Sequence, residues 1–439
     1  MNDDQELLGI GERALARVEH GEAEVMVVDE RSELTRFAGN EIHQSVAERF
    51  RYIRVRLVHD GRTGVGEVRG HGADAVERAM TAAEESRRVT TAPDASPLPA
   101  PDGAGGPVAF AATTAAATPE DRAGLVAIVT GAAQAQRLNA YGALSTTTTT
   151  TAIVSSTGLR RAATSTQASL VTVVRGDDGG GYASRHSADF GALDVEGLAD
   201  EVVDTCMRNQ HATPIDPGDY EVVLSPYAVT DMLEHLAWVG FSALAKQEHR
   251  SFVRIGERLM SESVTIRDDA SAPEVFPFPF DNEGVSTVPV KLIDSGVCAG
   301  VVYDTPTALR DGVVSTGHSL PQPNTWGPLA RHMVMEAGTT PWEDMVESVS
   351  RGLYVTRFWY VRDVHPLRTL ITGMTREGTF LIENGRITRP VKDLRFTQSI
   401  VDALADVVQI SRERRLELGE GASGVLSPWL QIGRFTFTS

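Results

Sequence analysis

The chain has 439 residues and a formal net charge of −18, with 41 Lys and Arg against 59 Asp and Glu. This charge disfavours a nucleic-acid partner, and the length indicates two domains. Cys206 and Cys298 are the only cysteines, so a disulfide framework is not indicated and a cysteine-rich metal site is excluded. The N-terminus has no secretory signal pattern, and no apolar run is long enough to span a membrane. We therefore expect a cytoplasmic protein that does not contact membranes.

The first half of the sequence predicts an α+β lobe built on an antiparallel sheet. Residues 51–59 alternate between apolar and basic side chains, and Asp60-Gly61 supplies the positive-φ turn of a hairpin. Thr118, followed by a proline and two acidic residues, is a typical N-cap and predicts a helix to about residue 137. The other predicted elements are helices over 5–19, 74–86 and 193–208, and strands over 23–29, 33–44 (with a turn at 39–40) and 65–68.

Two stretches rich in proline divide the chain. Residues 90–107 combine proline with glycine and predict a linker. Residues 211–218 contain two prolines and mark the predicted boundary between an N-terminal lobe, 1–212, and a C-terminal lobe, 213–439.

A run of one serine and six threonines occupies residues 145–151. Because β-branched residues favour strands, we predict a long exposed hairpin formed with 152–156 or with 162–174. A disordered low-complexity tract is the alternative.

The second lobe is predicted to be α+β, rich in β-strands that are mainly antiparallel, around a central helical stretch. That stretch covers 228–260, where apolar residues recur at helical spacing. The other predicted elements are strands over 290–293, 300–303, 353–361 and 430–438, a hairpin of 380–382 with 386–388, helices over 342–350 and 398–410, and a loop over 421–427.

Two Glu-His pairs, Glu234-His235 and Glu248-His249, raise the question of a metal site in the central stretch. The HExxH zinc motif needs a second His four residues after the first, and Val239 stands at that spacing from His235. On a straight helix the two histidines would lie roughly 20 Å apart, too far to share one ion unless the chain folds back. Both possibilities stay open: metal ligands, or polar residues on a packed helix.

Several stretches, in their order and spacing, resemble the TldD/PmbA family, and in particular its TldE (PmbA) branch. The similarity covers nearly the whole chain, and its most specific stretch is 372–390, TGMTREGTFLIENGRITRP. The other similar stretches are 36–44, 55–68, 156–160, 218–225, 280–285, 303–317 and 352–356.

This resemblance implies a heterodimer. In the family, the TldD subunit binds zinc through an H-E-x-x-x-H helix and a Cys near its C-terminus, whereas TldE lacks these ligands and completes the peptide cavity. Here Glu234 and His235 stand in reversed order and Val239 replaces the second His, while 419–439 contains no Cys. Cys298, in an apolar context, is expected to be a buried structural thiol. The resemblance thus implies no metal in this chain and zinc in a TldD-like partner.

Two loop residues are candidates for lining a substrate cavity. His318 lies in a polar loop, 315–319, where the family has a cavity-lining segment. Arg376, at the tip of a predicted turn with Glu377, could bind a peptide carboxylate. Solvated surface positions are the alternative for both His318 and Arg376.

The predicted strand 353–361 supplies two further cavity candidates, Tyr354 and Arg357. Strict alternation would place Tyr354 and Tyr360 on one face and Arg357 and Trp359 on the other. Arg357 could hold a peptide carboxylate, or its face could contact the partner or solvent.

We interpret the chain as a TldE-like, non-catalytic subunit of a zinc metallopeptidase complex that hydrolyses peptides or a modified peptide natural product. Backbone pairing to an edge strand would hold the peptide. Two alternatives stay open: a self-sufficient amide hydrolase using His235, His249 or His318, and a non-hydrolytic homodimeric peptide-binding protein. A neighbouring gene for an H-E-x-x-x-H subunit would favour the heterodimer, and a peptidase assay on the lone chain would separate the two alternatives.

Overall fold

The structure is a computed structural model that describes residues 3–70, 72–90, 96–103, 105–419 and 424–439. Residues 91–95 and 104 of the predicted linker, and 421–423 of the predicted C-terminal loop, lie outside this part of the chain. Among the described residues, no helix is both long and apolar enough to cross a lipid bilayer.

The first lobe contains an antiparallel sheet with helices on one face, which confirms its predicted α+β class. Its strands are β1 (Glu22–Ala38), β2 (Glu41–His59), β3 (Arg62–Arg69), β4 (Asn139–Ser155), β5 (Arg160–Arg175) and β6 (Gly180–Ser187), in the spatial order β3-β2-β1-β4-β5-β6. Its helices are α1 (Asp3–Leu15), α2 (Ala73–Val89), α3 (Ala112–Ala115), α4 (Pro119–Ala135) and α5 (Val195–Arg208). Thr118 caps α4 in a capping box with Asp121, as its sequence predicts.

The first two strands are longer than predicted. The segments 23–29 and 33–44 are not separate strands, because β1 runs without interruption to a turn at Gly39 and Asn40. Polar side chains in the middle of β1 stay in the ladder through cross-strand ion pairs, such as that of Asp29 with Arg51 of β2.

The threonine run lies in an inner strand of this sheet. Thr148 of β4 pairs with Arg31 of β1 on one side and with Thr166 of β5 on the other. The long hairpin, formed with 162–174, is therefore confirmed, whereas its predicted exposure was wrong. Thr146 and Thr150 are only 4% exposed, because helices cover their face of the sheet, and Thr146 accepts a hydrogen bond from the buried Arg122 of α4.

The second lobe has a large mixed sheet, and most of its pairings are antiparallel. Its strands are β7 (Gly218–Leu224), β8 (Ile266–Asp268), β9 (Val290–Asp294), β10 (Val297–Cys298), β11 (His332–Met335), β12 (Arg351–His365), β13 (Leu370–Glu383), β14 (Arg386–Pro390), β15 (Arg395–Ser399), β16 (Val407–Glu417) and β17 (Gly424–Phe437). Because β7 pairs with both β12 and β17, part of the sheet closes on itself. The lobe's helices are α6 (Pro226–Val239), α7 (Ala243–Gln247), α8 (Thr305–Asp311), α9 (Trp342–Ser348) and α10 (Ile400–Ala405).

Three predictions for the second lobe were wrong in detail. Residues 300–303 form no strand, since Val302 bonds instead to the connection between α6 and α7. The helix predicted over 398–410 is limited to α10, because Val407 already pairs with Ile432 of β17. The last strand begins at Gly424 rather than at 430, so 424–427 belong to β17.

The central helical stretch is two helices rather than one. Helix α6 begins at Pro226, after the N-cap residue Ser225, and ends at Val239, with Gly240 as its C-cap. A side chain at Gly240 would collide with Phe252, since a Cβ there would lie 2.0 Å from that ring. The buried residues of α6, among them Leu233 and Leu236, pack into the main core of the second lobe.

The two lobes share an apolar interface. Helices cover one face of the first sheet, and the second lobe covers part of the other. There Phe280 packs in one cluster with Met26, Ile153 and Leu159, and is itself 4% exposed. This contact fixes the first sheet against the loop segments of the second lobe, and both cavities described below lie between the lobes.

Candidate functional site

Helix α6 carries the positions at which the family resemblance looks for a metal. Glu234 is 7% exposed, and its carboxyl packs against Gly419, where a Cβ would lie 2.5 Å from the carboxyl carbon. The ring of His235 is half-buried, and its Nδ1 donates to the carbonyl oxygen of Asp231 at 2.8 Å. Val239 is buried and apolar. The three positions thus present one carboxyl, one imidazole and an alkyl group.

These groups do not fit a catalytic zinc, which needs three protein ligands and an open position. Across the described ranges, no three His, Cys, Asp or Glu side chains are grouped to hold a metal ion. Cys206 and Cys298 are fully buried, and burial raises the pKa of both thiols, which disfavours the thiolate that a metal binds. His249, the other histidine considered, is exposed after the end of α7.

A second feature, which we call the arginine pocket, opens between the lobes with a volume of about 600 Å³. The first lobe contributes Arg175 and Tyr182, near the ends of β5 and β6, and the second lobe contributes side chains from β12 and β13. Its defining residues are Arg175, Tyr182, Arg357, Trp359, Arg376 and Glu377.

Glu377 is the centre of this pocket. Its side chain is 2% exposed and forms ion pairs with Arg175, Arg357 and Arg376, the last at 3.0 Å from Nε to Oε1. Burial and the charge of Glu377 together raise the pKa of the neighbouring Asp393 to about 6. Three guanidinium groups therefore face two carboxyl groups, and the pocket keeps an excess of positive charge.

A β-bulge brings these side chains together. Between β12 and β13 the register shifts, and Glu377 adopts a φ of 51° beside Gly378 at 128°. The extra residue turns the carboxyl of Glu377 inward, a common use of bulges near functional sites. The turn predicted at Arg376 and Glu377 was therefore wrong, because both residues lie within β13.

Aromatic rings form the walls of the arginine pocket. The guanidinium carbon of Arg357 lies 4.0 Å from the ring centroid of Tyr182, and that of Arg376 lies 4.4 Å from the ring centroid of Trp359. These cation–π contacts hold the planar groups in fixed orientations. Burial raises the pKa of Tyr182 to about 12, so its ring stays neutral beside the arginines. The arrangement suits a ligand with a carboxylate or another planar anion.

Tyr354 does not belong to the pocket. It is packed against Trp342 and Trp429, and its hydroxyl accepts a hydrogen bond from Nε1 of Trp429 at 3.3 Å. The strict alternation predicted for this strand was wrong. Its core positions change from Leu353 and Val355 to Phe358 and Val361 across the register shift.

His318 lies in a different place, which we call the interlobe cavity. The ring is buried rather than solvated, and its Nε2 bonds to Oδ1 of Asp268 at 2.9 Å. Burial alone would raise the pKa of Asp268, but the charge of His318 and the hydrogen bonds of His318 and His332 lower it. The interlobe cavity shares no lining residue with the arginine pocket in the described chain.

Of the four predicted cavity residues, the structure thus brings together only Arg357 and Arg376. Sequence reasoning missed Arg175 and Tyr182, which reach the pocket from the other lobe. It also missed Asp268, which is 50 residues from its partner His318. No local pattern marks such long-range contacts, although the glycines around 179–181 do mark the β5–β6 turn beside Arg175.

The chain matches three models of a known protein family. The model of PmbA/TldA metallopeptidase domain 1 matches residues 23–86, that of the central domain matches 107–209, and that of the C-terminal domain matches 217–439. The last match alone covers more than half of the chain. The chain therefore belongs to the PmbA/TldD family, and the resemblance seen in the sequence is confirmed.

Individual relatives agree with this membership. Over 242 residues the chain is 26% identical to a metalloprotease of Methanothermobacter thermautotrophicus and to a metalloprotease TldD homolog of Haemophilus influenzae. Each match covers 54% of this chain and spans about half the length of the relative, 52% and 50%. The crystal structure of TldE from Thermococcus kodakarensis superposes with a TM-score of 0.88 at 20% identity, covering 99% of both chains, which shows the shared fold.

Proposed function

We propose that this chain is a TldE-like, non-catalytic subunit of a cytoplasmic TldD/TldE-type zinc metallopeptidase complex. A TldD-like partner would bind the zinc and hydrolyse a peptide or a modified peptide natural product. The observation that carries the proposal is the set of side chains at the α6 ligand positions. Glu234, His235 and Val239 offer one carboxyl and one imidazole, whereas a catalytic zinc needs three protein ligands and an open position.

In this proposal the arginine pocket helps to hold the peptide. Its positive charge and aromatic walls favour a carboxylate, as at a peptide C-terminus or an acidic side chain. Of the three arginines in the pocket, Arg175 and Arg376 are the more accessible, with 42% and 35% of their side chains exposed against 13% for Arg357. These two side chains would therefore make the first contacts with an entering carboxylate.

Edge strand β6 offers a second kind of contact. It pairs with β5 on one side only, and it carries Tyr182 into the arginine pocket. Unpaired backbone groups at a sheet edge can add an extended peptide as a further strand, which tolerates varied side chains. Ser184 in the middle of β6 is buried and already donates its backbone N–H to Oη of Tyr227 at 3.3 Å, so a peptide would pair only with the rest of this edge.

Co-purification from the native cell tests the proposal. We expect this chain to retain a second subunit that contains an H-E-x-x-x-H sequence, with zinc in the pair and an interface that buries more than roughly 2,000 Å². A chain that elutes alone or as a homodimer, with no such partner detectable by mass spectrometry, would contradict the proposal.

A further inference from the structure

The interlobe cavity has a volume of about 320 Å³, roughly the space of ten water molecules in the liquid. Its base is the threonine run, which contributes Thr147, Thr149 and Thr151 from β4. One wall is apolar and contains Phe276, Phe278 and Phe280 of the second lobe. The cavity thus combines hydroxyl groups and aromatic rings, and its remaining wall carries charged side chains.

An unpaired cation forms part of that charged wall. Arg331 lines the cavity and, within the described chain, its guanidinium makes no hydrogen bond or ion pair, with Nε buried and unsatisfied. Burial lowers the pKa of Arg331, while the charges of Asp268 and Asp281 raise it. A half-buried guanidinium without a hydrogen-bonded anion is costly to folding, because part of the charge is removed from water without a partner.

Both nearby carboxyl groups are committed elsewhere. Asp268 bonds to the ring of His318 and, through Oδ2, to the backbone N–H of His332 at 2.9 Å. Asp281 accepts backbone N–H bonds at both oxygens, including that of Ser319 at 2.8 Å. Burial and the charge of Glu283 raise the pKa of Asp281 well above its usual range, so it is a weak counter-ion.

His332 adds a second unsatisfied group at the same wall. It is 6% exposed and lines the cavity, and its Nε2 is buried with no hydrogen-bond partner among the residues that the structure describes. Burial lowers the pKa of His332 to about 4, so the ring is neutral at physiological pH. A neutral imidazole can donate one hydrogen bond from Nε2 without adding charge.

We infer that the interlobe cavity is a binding site for an apolar carboxylate, with Arg331 as its charge partner and Nε2 of His332 as a hydrogen-bond donor. The phenylalanine rings would cover the apolar part of the ligand, and the threonine hydroxyls could bond to a polar substituent. A single guanidinium matches a monoanion better than a doubly charged phosphate. This site is separate from the arginine pocket and does not depend on the function proposed above.

The carboxylate could belong to a free aromatic acid or to the C-terminal residue of a peptide. Benzoate and N-acetyl-L-phenylalanine are suitable probes for the two sources, and benzamide is a neutral control of similar shape. Calorimetric titration of the full chain should show that both acids, or one of them, bind and that benzamide does not. The acid that binds with the higher affinity identifies the source of the carboxylate.

Arg331→Met is the decisive variant, and Arg310→Gln, at an exposed position of α8, is its matched control. We expect Arg331→Met to weaken binding of the acid by about tenfold or more, because a charge-assisted contact is lost. We also expect its melting temperature without ligand to be no lower than that of the wild type, because the lost charge was unpaired. Arg331→Lys, which keeps the charge, should bind with intermediate affinity.

Three results would overturn the inference. The first is that neither acid binds to the wild-type chain. The second is that Arg331→Met or, if that variant does not fold, Arg331→Lys binds the acids as tightly as the wild type. The third is a crystal structure with benzoate bound at another place and the interlobe cavity free of it.

Discussion

Arg56 of the first lobe and Glu283 of the second form a buried ion pair across the lobe interface, with 3.2 Å between Nη1 and Oε1. Their side chains are 4% and 0% exposed. Arg56 also bonds to Glu24 of β1, and the other oxygen of Glu283 accepts the backbone N–H of Thr305 at the start of α8. One guanidinium therefore joins β1 and β2 of the first lobe to the segment before α8 in the second lobe.

Replacing Arg56 with Met should destabilise the protein strongly. The substitution leaves Glu24 and Glu283 buried without their cation, which typically costs about 3–5 kcal/mol. Urea unfolding measures the loss. Arg78→Ala is the control, since its pair with Asp74 on α2 is exposed and should contribute about 0–1 kcal/mol. A loss below about 1 kcal/mol for Arg56→Met would mean that the pair does not hold the lobes together.

Glu24 should make stability depend on pH. Burial raises its pKa from 4.5 to about 7, even though Arg56 acts to lower it. The folded state therefore keeps the proton longer than the unfolded state, so this contribution is complete below pH 4.5 and is lost as the pH rises to about 7. The loss amounts to at most roughly 3 kcal/mol.

Glu24→Gln, which cannot titrate, isolates this contribution. The free energy of unfolding of the variant, relative to that of the wild type, should increase as the pH rises from 4.5 to 7. Urea unfolding at several pH values gives the difference. A difference that is constant over this range would show that Glu24 titrates normally.

Arg376→Gln tests the arginine pocket in the complex with a TldD-like partner. If the pocket holds the substrate carboxylate, KM for a peptide with a free C-terminus should rise about tenfold or more. The value for the same peptide with a C-terminal amide should not change, and kcat should be nearly unaffected, because in the proposed complex the zinc would lie in the partner. Arg386→Gln, at an exposed position of β14, is the control. Equal effects on both peptides would rule out carboxylate recognition by Arg376.

Local chemistry made much of the fold predictable. Asp60-Gly61 forms its hairpin turn because both residues accept positive φ, and Thr118 caps α4 because its side chain satisfies a free backbone N–H. The sequence also predicted the helices that have a clear apolar face. The family resemblance then indicated the order of the lobes and the positions on α6 that correspond to metal ligands in the family.

The remaining features depend on contacts between distant residues. The continuous strand β1 was divided in the prediction because its polar middle looks like a loop, and only the ion pairs of Asp29 with β2 explain it. The bulge that turns Glu377 inward has no clear local signal beyond Gly378. Arg331 resembles any surface arginine in the sequence, and only the packed lobes reveal that no described residue offers it a hydrogen-bonded anion.

The central claim is that this subunit does not carry the zinc chemistry. Its most direct test is to measure zinc content and peptide hydrolysis on the same purified chain, alone and with a TldD-like partner. We expect well under one zinc and no cleavage for the chain alone, hydrolysis when the partner is added, and nearly unchanged turnover for His235→Ala in that complex. One tightly held zinc per chain, with activity lost in His235→Ala, would contradict the account.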